Sequence, residues 1–93
     1  MIIAVDYDDT LEIKGKINLQ LVNALKMHQL QGDTVILWTC REGKTLADAL
    51  KKLAQVGFKP NYANRNCPQA LRMFGHDTRK IYADLYIDDK GHR

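Results

Sequence analysis

Asp6, Asp8 and Thr10 stand at alternate positions in Asp6-Tyr7-Asp8-Asp9-Thr10, directly after the apolar run Ile2-Ile3-Ala4-Val5. A second acidic pair, Asp88-Asp89, follows another β-forming run near the far end of the sequence. If the strands carrying these residues are neighbours, their ends lie roughly 5 Å apart and the carboxylates converge. Carboxylates crowded in this way repel one another unless a cation holds them. Oxygen ligands, completed by waters and phosphate oxygens, suit Mg²⁺ better than Zn²⁺. Such a cation neutralises phosphate and lets an anionic carboxylate approach phosphorus, so Asp6 is the expected nucleophile and an aspartyl-phosphate the expected intermediate. Asp8, just outside the strand, is positioned to protonate the leaving oxygen and then to activate water. Asp88 and Asp89 are the remaining metal candidates, with Asp88 favoured for direct ligation.

A middle strand, Thr34-Val35-Ile36-Leu37-Trp38, ends in Thr39-Cys40-Arg41-Glu42-Gly43. Thr39 is expected to donate a hydroxyl hydrogen bond to phosphate, aided by backbone N–H groups at the start of the helix that follows. A cation must balance the phosphoryl charge in transit. Lys80, just before the last strand, is the leading candidate, and Lys44 at the start of the second helix is its rival. Arg41 is a candidate fork for a substrate phosphate or carboxylate.

The elements that must position these residues alternate along the chain. Residues from Leu19 read as a helix with Asn18 as N-cap and Gly32 after its end. Leu46, Ala49, Leu50, Leu53 and Ala54 mark a second, strongly amphipathic helix closed by Gly57. Asn61 to Ala63 reads as a short third strand, Pro68 to Phe74 as a short helix, and Ile81 to Ile87 as a last strand with Ala83, Leu85 and Ile87 on one side. The pattern predicts an α/β domain over residues 1–93: a three-layer α/β/α arrangement of Rossmannoid type on a mainly parallel sheet. Ligands of such sheets bind outside the carboxyl ends of the strands, where all the polar residues above are expected.

In this order the residues resemble the four motifs of the haloacid-dehalogenase-like (HAD) superfamily. The matches are Asp6-Tyr7-Asp8-Asp9-Thr10, the strand Val35-Ile36-Leu37-Trp38 ending in Thr39, Lys80, and the acidic pair Asp88-Asp89. The stretches 36–43 and 83–89 resemble small capless members described as hypothetical hydrolases. The resemblance implies a phosphatase in which Mg²⁺ is held by Asp6, the backbone carbonyl of Asp8 and a carboxylate of Asp88 or Asp89. Asp8 would be the acid/base, with Thr10, Arg41 and Lys44 as substrate contacts. Too few residues separate Thr10 from the first helix, or the second helix from Lys80, for a cap domain, so the site is expected to be open and the substrate a small or exposed phosphate ester. Two other readings remain: a phospho-accepting receiver-like module, and a metal-binding domain without catalysis.

The remaining features narrow the partners. The 93 residues carry a net charge of +3, from 14 Lys and Arg against 11 Asp and Glu. That balance favours anionic ligands, but no recognition motif accompanies it, so nucleic acid is not expected as the principal partner. Two cysteines without a Cys-x-x-Cys pair fit a reduced, cytoplasmic setting. Met1 to Val5 is too short for a signal peptide or membrane span. A domain this small buries a modest share of its surface, which leaves self-association open. Trp38, Phe74 and Cys40 are expected in the core, Asn64, Arg65 and Asn66 in a polar turn, His28 at a helix end, and His76 and His92 in a loop and the tail.

Overall fold

The computed structural model describes residues 1–65 and 81–92. In chain order these form β1 (Ile2–Val5), β2 (Glu12–Ile13), β3 (Lys16–Ile17), α1 (Leu19–Leu30), β4 (Thr34–Leu37), α2 (Gly43–Gln55), β5 (Tyr62–Ala63), β6 (Leu85–Asp88) and β7 (Gly91–His92). The expected helix at 68–74, together with Asn66, Cys67, His76 and Lys80, lies outside the described residues.

The main sheet has the order β5-β4-β1-β6-β7. Its first four members pair in parallel, and β7 returns antiparallel on β6. Counting only parallel strands, the order is third, second, first, fourth, which matches the start of the dinucleotide-fold order and reverses direction between β1 and β6. The apolar runs 2–5 and 35–37 are fully buried because they occupy the middle of the sheet. On one face Ile3, Val5, Val35 and Leu37 pack with Val22 and Leu25 of α1, Ala49 and Leu53 of α2, and Phe58. On the other, Ile2, Ala4 and Ile36 pack with Ile81 and Ala83, flanked by Tyr62, Tyr82 and Tyr86. The α/β class and mainly parallel sheet agree with the sequence pattern. Both described helices lie on the same face.

Both helices end where expected. Asn18 Oδ1 accepts the Leu21 N–H at 3.3 Å at the head of α1, and Gly57 follows α2 in the left-handed region at φ 77°. The last strand differs from its expectation. It starts at Leu85 rather than Ile81, because Asp84 takes over the pairing with β1: its N–H donates to the Ile2 carbonyl at 2.8 Å, and its carboxylate accepts the Ile2 N–H at 2.7 Å. Ala83 therefore joins Ile81 on the face opposite Leu85 and Ile87.

Two hairpins were absent from the sequence reading. β2 and β3 pair antiparallel across Lys14 and Gly15, both at positive φ (51° and 80°), as a two-residue turn of the twist-matching kind requires. β6 and β7 pair across Asp89 and Lys90. Among the described residues no helix is long and apolar enough to cross a membrane.

Candidate active site

β1 ends at Val5, and the next N–H, that of Asp6, still donates to the Ile87 carbonyl of β6 at 2.9 Å. This one ladder bond fixes Asp6 beside the Asp88-Asp89 turn. On the other side the Trp38 N–H donates to the Val5 carbonyl at 2.8 Å, carrying β4's polar exit to the same edge. Asp6, Trp38, Thr39, Cys40, Asp88, Asp89 and Lys90 line a cleft of about 300 Å³ there. It sits over the point where the strand order reverses, the place where open α/β sheets bind ligands.

Asp6 is half-buried, and burial is the largest cause of a carboxyl pKa raised above its usual value. The Tyr7 N–H, which donates to Asp6 Oδ1 at 2.8 Å, opposes that shift, while the charges of Asp8, Asp89 and Asp88 add to it. The site thus gathers negative charge around Asp6 and disfavours its ionisation. Asp88 is partly buried, and its Oδ1 accepts the Lys90 N–H at 2.9 Å across the hairpin turn.

Asp8 does not line the cleft. Arg41 forks onto it, Nη2 donating to Oδ1 at 2.9 Å and Nε to Oδ2 at 3.1 Å. These bonds hold the Asp8 carboxyl below its usual range. Arg41 is itself fixed by several partners. Its guanidinium lies 4.7 Å from the Tyr7 ring centroid, Nη1 donates to the Thr45 carbonyl at 3.2 Å, and Glu12 stands 3.6 Å from Nη2. Glu12 is held in turn by Lys52 of α2. Tyr7 is wholly buried, and burial is the main cause of a phenol pKa pushed up to about 12.

Thr39 Oγ1 accepts the Arg41 N–H at 3.1 Å, which leaves the hydroxyl hydrogen free for an anion in the cleft. Thr10 is buried; its N–H donates to the Tyr7 carbonyl and its own carbonyl accepts from Asn18, so it braces the loop after β1. Lys44 is the second residue of α2, exposed, and not among the residues lining the cleft. The structure therefore brings Asp6, Thr39, Asp88 and Asp89 together, and places Asp8 and Arg41 beside them as a pair.

Four residues were missed or misjudged. Asn64, expected in a bland turn, stands at φ 55°, accepts the Thr39 N–H at 2.8 Å and donates to the Arg41 carbonyl at 3.4 Å. Trp38 is 41% exposed instead of buried, because β4's pairing leaves it at the cleft mouth, edge-on to Tyr86 at 5.9 Å. Cys40 is exposed for the same reason, one residue beyond Thr39. Lys90 at the cleft is a third candidate cation that the sequence reading did not weigh.

A conserved protein from Bacteroides thetaiotaomicron has a solved structure that matches this one with a TM-score of 0.81 and 35% sequence identity, over 98% of this chain and 77% of that one. The chain belongs to the same family as that protein. Its name states no activity, so the match carries fold and kinship but no chemistry. No protein-family model matches the chain, and no curated protein does.

Among the described residues no group of three His, Cys, Asp or Glu side chains is arranged to hold a metal by itself. That is compatible with Mg²⁺, which keeps several waters and binds through one or two carboxylates plus substrate phosphate. Asp6 with Asp88 or Asp89, joined by the Asp8 backbone carbonyl, is an all-oxygen set of the right chemistry.

Proposed function

We propose that the chain is a Mg²⁺-dependent phosphohydrolase of HAD type that cleaves phosphomonoesters through an aspartyl-phosphate on Asp6. The observation that carries this reading is the convergence of Asp6, Thr39, Asp88 and Asp89 on one cleft at the reversal point of the sheet. Mg²⁺ held by Asp6, the Asp8 carbonyl and Asp88, with Asp89 beside it, would neutralise phosphate oxygens and orient the ester. A small phosphate ester fits the cleft and the absence of a cap among the described residues. A cytoplasmic setting is part of the same reading.

In this mechanism a carboxylate oxygen of Asp6 forms a bond to phosphorus as the ester P–O bond breaks. Asp8, once released from Arg41 and protonated from solvent, gives that proton to the leaving alcohol. The Thr39 hydroxyl donates to a phosphoryl oxygen, and a lysine balances the charge: Lys80 by motif, with Lys44 as its rival and Lys90 favoured by its place at the cleft. Asp8, now a carboxylate, takes a proton from water. The water oxygen attacks phosphorus, the acyl-phosphate bond breaks, and inorganic phosphate leaves with Asp6 restored.

The strand order argues against the receiver-like alternative, whose sheet runs second, first, third. Here the first strand lies between the second and the fourth. Release of inorganic phosphate from phenyl phosphate, with and without Mg²⁺, tests the proposal. Steady turnover that needs Mg²⁺ is expected, falling roughly a thousandfold or more in Asp6→Asn and about 10²- to 10⁴-fold in Asp8→Asn. A stable phosphoprotein without turnover would point instead to a phospho-accepting module, and neither outcome to a binding domain.

A further inference from the structure

The acid/base role assigned to Asp8 conflicts with its surroundings. Both of its oxygens accept from Arg41, and the carboxylate lies off the cleft that Asp6 lines. A carboxylate held at both oxygens by a guanidinium is in no position to pass a proton to a leaving group. The pair must open before Asp8 can work.

The rest of the arrangement shows how it can open. The Asp8 side chain is 53% exposed, so water and dissolved anions reach the pair and can compete for it. Arg41 also has partners that do not depend on Asp8: the Tyr7 face, the Thr45 carbonyl and Glu12. Its backbone is tied to Thr39 through the Thr39 hydroxyl and to Asn64 through its carbonyl. Letting go of Asp8 therefore leaves the guanidinium anchored by Tyr7, Thr45 and Glu12, on a residue whose backbone is bonded to Thr39, the expected phosphate contact. The natural competitor for a planar fork already shaped to a carboxylate is a second anionic group on the substrate.

We infer that Arg41 is a latch: in the free protein it sequesters Asp8, and a second anionic group on the substrate takes the place of Asp8 on the anchored guanidinium, so that the preferred substrates are phosphomonoesters bearing a further carboxylate or phosphate. This rests on the phosphohydrolase reading of the same site. Asp8 is released most fully when a ligand of the right charge occupies Arg41, and with a simple ester only in the fraction of molecules in which the exposed pair is open, which couples selection of the substrate to assembly of the acid/base.

The test compares three esters on the full chain with Mg²⁺: phenyl phosphate, 3-carboxyphenyl phosphate with a leaving phenol of similar basicity, and propane-1,3-diol bisphosphate. The second and third separate carboxylate from phosphate as the recognised anion. The wild type is expected to favour at least one of them over phenyl phosphate by about tenfold or more in kcat/KM. Arg41→Gln should move the substrates in opposite directions. It should raise KM for the preferred ester with a second anionic group by about tenfold and raise kcat for phenyl phosphate several-fold, since Asp8 is no longer held. Arg41→Lys should restore part of the preference. A wild type without preference, a preference that survives Arg41→Gln, or an equal loss on all three esters would overturn the latch.

A second measurement separates failure of the latch from failure of the phosphatase reading. Calorimetric titration with methylphosphonate and phosphonoacetate needs no turnover. Tighter binding of phosphonoacetate to the wild type but not to Arg41→Gln supports anion capture by Arg41 even if no ester is hydrolysed. Equal binding of the two phosphonates, or a difference unchanged by the substitution, overturns it.

Discussion

Asp6 carries two opposed demands. As a nucleophile it must be ionised, yet burial and the neighbouring charges of Asp8, Asp89 and Asp88 raise its pKa. In the absence of cation its ionisation therefore works against folding. A carboxyl whose folded pKa lies above its unfolded value contributes stability while protonated, below the unfolded pKa, and loses it as pH rises through the folded pKa. Asp6→Asn removes the charge without changing the shape. At neutral pH and without Mg²⁺ the variant should melt higher than the wild type by roughly a few degrees, and the gap should close as the buffer is brought into the acid range where Asp6 takes up its proton. Thermal melts across that range check it, and a variant less stable at neutral pH would contradict the charge argument. The sequence exposed this residue clearly, since an acidic group ending a buried strand has few structural uses. It did not expose the fate of Asp8: the fork from Arg41 spans residues far apart in the chain, and only the fold brings them together.

At the scale of elements, the candidate site depends on how the turn after β4 is held. The Thr39-Cys40-Arg41 segment has no ladder partner of its own, and Asn64, immediately after β5, supplies one by accepting from Thr39 and donating to Arg41. Asn is suited to this because it tolerates the left-handed backbone that the position adopts at φ 55°. Asn64→Ala removes both bonds and strains the backbone, and should cost about 1–3 kcal/mol. Asn64→Gly relieves the strain but not the lost bonds, so it should regain some stability while remaining as slow in turnover as the alanine variant. Chemical denaturation paired with phosphate release distinguishes these effects, and equal stability of the two variants would count against the backbone term. The long periodic elements were legible from residues alone: Leu46 to Ala54 could hardly be anything but a helix face, and the runs 2–5 and 34–37 anything but central strands. The short ones were not. Glu12-Ile13 and Lys16-Ile17 each offer a single alternating pair, and the turn residues Lys14 and Gly15 were the only signal that they form a hairpin. Asp84 hid the start of β6 because a charged residue at a strand entrance reads as strand only when its carboxylate is seen taking the ladder's N–H.

For the whole molecule, the sheet joins elements from both ends of the sequence at the cleft. Asp6 follows the first strand and Asp88 ends the fourth parallel strand, and the two are locked side by side by the pairing of Ile3, Ala4 and Val5 with Leu85, Tyr86 and Ile87. A cation shared between them would tie the N-terminal strand to the C-terminal hairpin, and binding energy at such a site becomes folding energy. At a free Mg²⁺ concentration a hundredfold above its Kd the gain is about 2.7 kcal/mol, which in a domain of this size raises Tm by roughly 10–20 °C. Wild-type protein melted across a Mg²⁺ series should show that rise, and Asp6→Asn and Asp88→Asn should lose most of it. Asp89→Asn should retain more than Asp88→Asn if Asp88 is the direct ligand and Asp89 acts through water, and the reverse ranking would exchange their roles. Non-specific screening of surface charge is separated by the same series run in matched NaCl. If salt alone reproduces the shift, or if Asp6→Asn responds to Mg²⁺ as the wild type does, the ion is not held between the two strand ends and the metal-dependent chemistry loses its basis.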